Sequence, residues 1–177
     1  MVIKTRLITA AALCCGLLFS VAASASRLIP IEEAKNTPHA SLPLPQYQGG
    51  TLSLQSVNDQ VLLVDFWASW CGPCRESFPW MSDIQAKYKT QGLKVIAINL
   101  DQDKNQALNF LKKYPPGFTV LFDNKAAMPD RFGVIGMPTS YLVDREGRIR
   151  AVHTGFHQDQ LGNYEQLITQ LLAENKD

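Results

Sequence analysis

Val61-Leu62-Leu63-Val64-Asp65-Phe66-Trp67-Ala68-Ser69-Trp70-Cys71-Gly72-Pro73-Cys74-Arg75 decides how this chain is read. Val61 to Trp67 is a continuous apolar run broken only by Asp65. It has the length and β-branching of a strand buried on both faces, as found in the middle of an α/β sheet. From Arg75 to Thr90 the period changes: Phe78, Met81, Ile84 and Tyr88 recur at helical spacing until Gln91-Gly92 closes the segment. Cys71 therefore falls where a buried strand meets a helix. Unpaired backbone N–H groups and the positive end of the helix dipole face a side chain there. They stabilise a thiolate, which is the attacking species in disulfide exchange. The two-residue spacer sets Cys74 one turn further in, within reach of a mixed disulfide made at Cys71. Pro73 lacks an N–H that the first turn would leave unsatisfied anyway, and it stiffens the loop. Trp70 can shield the pair and offer partners an apolar contact. These positions make Cys71 the nucleophile and Cys74 the resolving thiol.

Working outward, Leu93 to Leu100 reads as a second buried strand. Asn105 to Tyr114 reads as a helix with Ala107, Leu108 and Leu111 on one face, stopped by Pro115-Pro116. Phe118 to Phe122 follows as a short strand and Ala126 to Phe132 as a short helix. Thr139 to Val143 and Ile149 to Thr154 alternate on either side of Asp144-Arg145-Glu146-Gly147, a hairpin signal. Leu161 to Leu172 closes the chain as a helix burying Tyr164, Leu167, Ile168 and Leu171. Upstream, Gly49-Gly50 turns into Thr51 to Leu54, a short strand that can pair with Gln46 to Gln48. Residues 26–41, punctuated by prolines and without a period, read as a tether to a domain spanning 42–177. Parallel crossovers combined with one antiparallel hairpin imply an α/β fold, a central mixed β-sheet with helices on both faces.

A length of 177 residues suits one domain with a proper core, and a net charge of +1 gives no reason to expect a nucleic-acid partner. Residues 1–25 stand apart. Lys4 and Arg6 precede an uncharged run from Leu7 to Ala23, and Ala23-Ser24-Ala25 supplies small residues at −3 and −1. That is the layout of a signal peptide cleaved after Ala25, placing the mature protein in the periplasm or another extracytoplasmic space. The alternative is an uncleaved membrane anchor, although a run of about 17 residues is at the short end of what spans a bilayer. Neither Cys14 nor Cys15 is preceded by the small residue that a lipoprotein would need.

Of four cysteines, Cys14 and Cys15 lie in the leader, so a mature chain keeps only Cys71 and Cys74. A lone bridge over so short a loop constrains the unfolded chain little, which makes a structural staple a poor explanation. A bare C-x-x-C also resembles half a zinc site. Four ligands would require two more groups, and His39, His153 and His157 are not spaced to supply them. The histidines read as solvated surface residues, and no metal or cofactor is called for.

Val64 to Arg75 resembles the active-site segment of thioredoxin, and Gly136-Met137-Pro138-Thr139 resembles that family's cis-proline loop. Together with the leader, Pro79, the extra helix and strand from Asn105 to Phe122, and Leu142 to Gly147, the chain is similar to the exported TlpA/ResA branch from about Leu42 to Leu172. The resemblance implies a thioredoxin-like domain with an N-terminal β-hairpin extension and a central helix–strand insertion. It implies a redox-active Cys71–Cys74 disulfide and a cis Met137–Pro138 bond packed against it. The Met137 backbone would then be offered to an extended substrate segment, and Trp70, Gly72, Pro73, Met137 and Pro138 would form the substrate surface. Asp65 matches the buried acid that takes the proton of the resolving thiol, whereas the lysine that partners this acid in thioredoxin is replaced by Ala97. Burial without that partner should raise its pKa; the other reading has Asp65 at a strand end, facing water.

Ser77 stands where several cytochrome-maturation reductases carry a glutamate, which weakens that assignment. The Gly-Pro spacer leans toward the reducing end of a family spanning about −270 to −120 mV. The expectation is an extracytoplasmic thiol–disulfide oxidoreductase that reduces protein disulfides, supplied by a membrane thiol donor. An oxidase or isomerase of the same fold, or a non-enzymatic binding module, is the alternative.

Overall fold

In the computed structural model, which describes residues 27–174, strand β4 (Val61–Trp67) runs through the middle of the molecule with all seven residues buried. Parallel to it on one side lies β5 (Leu93–Asn99), in a register that sets Asp65 opposite Ala97. Antiparallel on the other lies β7 (Thr139–Val143), with Asp65 opposite Ser140. The sheet extends through β6 (Thr119–Phe122) beyond β5, and through β8 (Arg148–Thr154) and β1 (Lys35–Asn36) beyond β7. The order β1-β8-β7-β4-β5-β6 is the mixed sheet that the element pattern implies.

Alternate residues of β4 feed two cores, as the strand period of two requires. Val61, Leu63 and Trp67 pack with α1 (Gly72–Tyr88), α2 (Lys104–Lys113) and α4 (Leu161–Ala173). Leu62, Val64 and Phe66 face the opposite core, with Leu54, Met128 and Phe132, the last on the one-turn helix α3 (Pro129–Phe132). In the first core Phe78 is an aromatic hub. Its ring centroid lies 4.8 Å from Trp67, 5.0 Å from Phe110 and 5.2 Å from Phe118. The α2 helix and the entry to β6 are thereby welded to α1. Gln85 ties α1 to β5 as well, accepting from the Val95 N–H at 2.8 Å and donating to the Leu93 carbonyl at 3.0 Å.

The segment expected as a tether is docked over its described part. Lys35 and Asn36 pair with Ile149 and Arg148, the Ile29 N–H donates to the Arg150 carbonyl at 2.6 Å, and Thr37 donates to Gly147. The unpaired outer edge of β8 attracts this backbone, and a two-residue strand has no period for the sequence to display. The N-terminal hairpin is likewise displaced: β2 (Leu44–Pro45) pairs with β3 (Thr51–Leu52), while Leu54 buries itself at the start of a 3-10 turn. Gln46 and Tyr47 instead lie along β6, Gln46 bridging to Leu121 and the Tyr47 N–H donating to Val120 at 2.9 Å. The short helix expected from Ala126 starts only at Pro129, because Ala126 takes a left-handed φ of 50° while the Asp123 carboxylate accepts from the N–H groups of Ala127 and Met128. The leader expected at 1–25 lies outside the described residues.

The end of α4 is pinned to the β7–β8 hairpin. Arg150, nearly fully buried, grips Glu174 through two bonds of 2.5 and 2.9 Å and donates to Ile29 at 2.7 Å. Replacement of the hub by Phe78→Ala should lower unfolding stability by about 3–5 kcal/mol, the usual cost of truncating a buried aromatic ring. Urea titration would register this as a lower midpoint with an unchanged slope.

Candidate active site

Cys71 is the N-cap of α1, in extended conformation, and its Sγ accepts from the Cys74 N–H at 3.2 Å. The two cysteines are joined as a disulfide, with Cα atoms 5.3 Å apart. They differ in access: Cys71 is 6% exposed and Cys74 is wholly buried. In the reduced form, the N–H that now points at the Cys71 sulfur would solvate a thiolate there. Gly72 and Pro73 are exposed on the first turn, and Trp70 stands out at 71% exposure. Ser77 is buried and donates to the Cys74 carbonyl at 2.9 Å, whereas Glu76 beside it faces solvent.

The loop entering this helix is fixed by a residue that the sequence reading missed. Asp101, buried just beyond β5, accepts from both the N–H and the hydroxyl of Ser69 at 3.0 Å. Asn99 orients the carboxylate at 2.8 Å, and Asn124 donates to the Asp101 carbonyl. The signal was the polar pair Asn99 and Asp101 at the carboxyl end of a buried parallel strand, where α/β proteins place their sites.

Met137–Pro138 is cis, as the resemblance implies. Pro138 is buried, its carbonyl accepting from the Gly155 N–H at 2.8 Å, and Met137 is half-buried. Trp70, Cys71, Gly72 and Pro73 form one wall of an open groove of about 550 Å³, and Met137 belongs to the other. Ile135, 93% exposed, is also in that wall and was not singled out from sequence, since a lone apolar residue in a loop carries no pattern.

Asp65 faces the core, 1% exposed, which disposes of the solvent-facing reading. Its Oδ1 accepts from the Ser140 hydroxyl at 2.7 Å, while Oδ2 has no hydrogen-bond partner among the described residues. Burial raises its pKa from 3.8 to about 7, against a smaller downward pull from Ser140. Of the histidines, His39 and His157 are exposed as expected. His153 is not a solvated residue: it is half-buried, with its ring 4.9 Å from that of Tyr164, because the outer strand turns this position inward against α4.

Residues 32–168 match the Redoxin family. The thiol-disulfide oxidoreductase ResA of Bacillus subtilis is 30% identical over 139 residues, covering 78% of this chain and 76% of the relative. The thioredoxin-like protein YneN of the same organism is 33% identical over 130 residues, covering 72% and 74%. A Chlorobium tepidum crystal structure assigned as a thiol:disulfide interchange protein DsbE superposes with a TM-score of 0.76 at 44% identity, covering 79% of this chain and 97% of that one. The chain belongs to the Redoxin family, within the TlpA/ResA-like part of the thioredoxin superfamily. It is a protein thiol–disulfide oxidoreductase.

The buried acid leaves a mark on stability. Between pH 4 and 7 the folded protein keeps a proton on Asp65 that the unfolded chain has released, so stability falls as pH rises through that window and stays lower above it. Asp65→Asn cannot ionise. In the oxidised form it should gain up to about 4 kcal/mol over the parent above pH 7, at 1.36 kcal/mol for each pH unit between the two titrations. The curves should converge below pH 4, and denaturant titrations across pH would show it.

Proposed function

We propose that this protein acts outside the cytoplasm as a protein-disulfide reductase, with Cys71 as nucleophile, Cys74 as resolving thiol and Asp65 as proton acceptor. The asymmetry of the two sulfurs carries the reading: one caps a helix beside an open groove, the other is shut in the core. The Cys71 thiolate attacks a sulfur of the substrate disulfide, forming a mixed disulfide and expelling the other substrate sulfur as thiolate. Cys74 then gives its proton to the Asp65 carboxylate and attacks Cys71. The mixed disulfide breaks, the second substrate thiolate leaves, and the Cys71–Cys74 bond closes. Two electrons pass to the substrate, and a membrane dithiol donor returns them.

Trp70 and Met137 flank the sulfur, and an extended substrate segment would pair with the Met137 backbone while its apolar side chains meet Trp70, Gly72 and Pro73; Pro138, proposed with them as substrate surface, would act from its buried place behind Met137. The extracytoplasmic placement is supported by the layout of residues 1–25. The reducing direction is supported by the Gly-Pro spacer. An oxidase working from the same site would need a potential near about −120 mV.

Cys71→Ser should abolish disulfide exchange, and Cys74→Ser should accumulate covalent complexes with disulfide substrates that dithiothreitol dissolves. Mass spectrometry of non-reducing gels reads both outcomes. Alkylation of the two reduced thiols at equal rates near neutral pH would refute the assignment of roles, and redox equilibration near the oxidase value would refute the direction.

A further inference from the structure

Asp65, Ser140 and His153 are successive in-register partners across β4, β7 and β8, so their side chains line one face of the sheet in a row. The row starts in the core and ends at a half-buried imidazole. Over it lies Tyr164 of α4, 95% buried, whose hydroxyl, like Asp65 Oδ2, has no hydrogen-bond partner among the described residues. Two buried orphan polar atoms in one place call for an explanation. Both residues border a small cavity of about 10 Å³, together with Ser140 and His153. That is roughly the room one water needs, and these residues supply the two to four polar partners that hold it. Ser77, whose hydroxyl is bonded to the Cys74 carbonyl, reaches the same cavity, so its wall adjoins the turn carrying the resolving thiol.

We propose that Asp65 exchanges its proton with solvent through a water held by Tyr164 in this cavity and relayed by His153. The inference rests on the reading of Asp65 as acceptor of the Cys74 proton. Each oxidation of the dithiol then leaves a proton on Asp65 that must depart before the next turn. The Asp65 hydroxyl donates to the water, the water passes a proton to a ring nitrogen of His153, and the imidazolium releases it to bulk beside the exposed His157.

The surroundings suit these parts. Burial, with a smaller upward push from Asp65, outweighs a downward pull from the nearby Ser140 hydroxyl and keeps the Tyr164 hydroxyl protonated, which makes it a positioning group rather than a carrier. Burial and His157 lower the His153 pKa, so near pH 7 its ring is neutral and able to receive. From α1 the cavity meets Ser77, Trp80 and Met81, and β5 presents Ala97 to Asp65. Among the described residues, Tyr164 and His153 are the titratable groups that share this cavity with Asp65.

The test follows reduced protein reacting once, in dilute buffer with a pH-indicator dye, with a disulfide whose thiols stay ionised near neutral pH, so that the one proton set free is that of Cys74. Stopped-flow fluorescence reads attack and ring closure, and the dye reads the proton leaving Asp65 for bulk. His153→Gln should delay proton release about tenfold, a fraction of the 10²–10⁴ usual for a positioned acid–base group itself, while attack and closure keep their rates. Added imidazole should restore the release. Tyr164→Phe, close to isosteric, should delay release and displace its pH profile. Proton release at the parental rate in His153→Gln, with or without imidazole, while Asp65→Asn closes slowly, would overturn the route and leave the acid in place. Parental closure in Asp65→Asn would remove the acid as well.

Discussion

Both the N–H and the hydroxyl of Ser69 end on the buried carboxylate of Asp101, and this anchor settles where the chain leaves β4 and turns into α1. The Leu100 N–H donates to the Trp67 carbonyl at 2.9 Å in the same corner, so the exits of β4 and β5 are stitched together. The position of Cys71 follows. With the strand end clamped, the first turn of α1 starts at a defined point, and the Cys74 N–H is aimed at the Cys71 sulfur rather than at water. A carboxylate bonded to three donors in a buried site is a stiff fixture, since losing any one donor leaves charge unsatisfied. The Cys71 sulfur is placed by polar bonds from behind and by aromatic packing below, through Trp67 and Phe78.

Two buried carboxylates are engaged to opposite degrees in this fold. Asp101 is fully engaged and holds shape. Asp65 is half engaged, with one oxygen bonded to Ser140 and one left over, and burial brings its titration near neutral pH. A hydrophobic residue at that point of β4 would make a better core, because an ionised carboxyl there is destabilising. The sheet tolerates it because the aromatic hub and the close-packed β4–β5–β7 centre contribute stability elsewhere. Sites that break local packing rules in this way are where chemistry is expected.

Much of this was legible in the residues. Val61 to Trp67 and Thr139 to Val143 match the observed strands end to end, because long buried runs and hairpins with a turn signal carry strong local patterns. The helical stripes of α1 and α4 were equally plain, and all eight of their marked residues are buried. The cysteine pair, the cis-proline loop and the missing lysine opposite Asp65 were also readable, the last confirmed by the register of Ala97. What escaped has no local pattern. Two-residue edge strands show no period, Asp101 acts through a partner 32 positions away, and His153 joins Ser140 and Tyr164 only once a sheet register and a helix have been set. Such relations belong to the tertiary fold.

Both margins of the main sheet are overlaid by pieces of the same N-terminal segment: β1 on β8, and Gln46-Tyr47 on β6. An uncovered strand is sticky toward any extended polypeptide, including another molecule of its own kind. A protein thiol–disulfide oxidoreductase works on polypeptides and so meets such segments. Covering Arg148 to Arg150 on one margin and Val120 and Leu121 on the other, with stubs too short to template growth, narrows two places where an extended chain could lodge or where copies could stack into fibres. A stretch of sequence that reads as slack chain thereby guards the sheet against self-association.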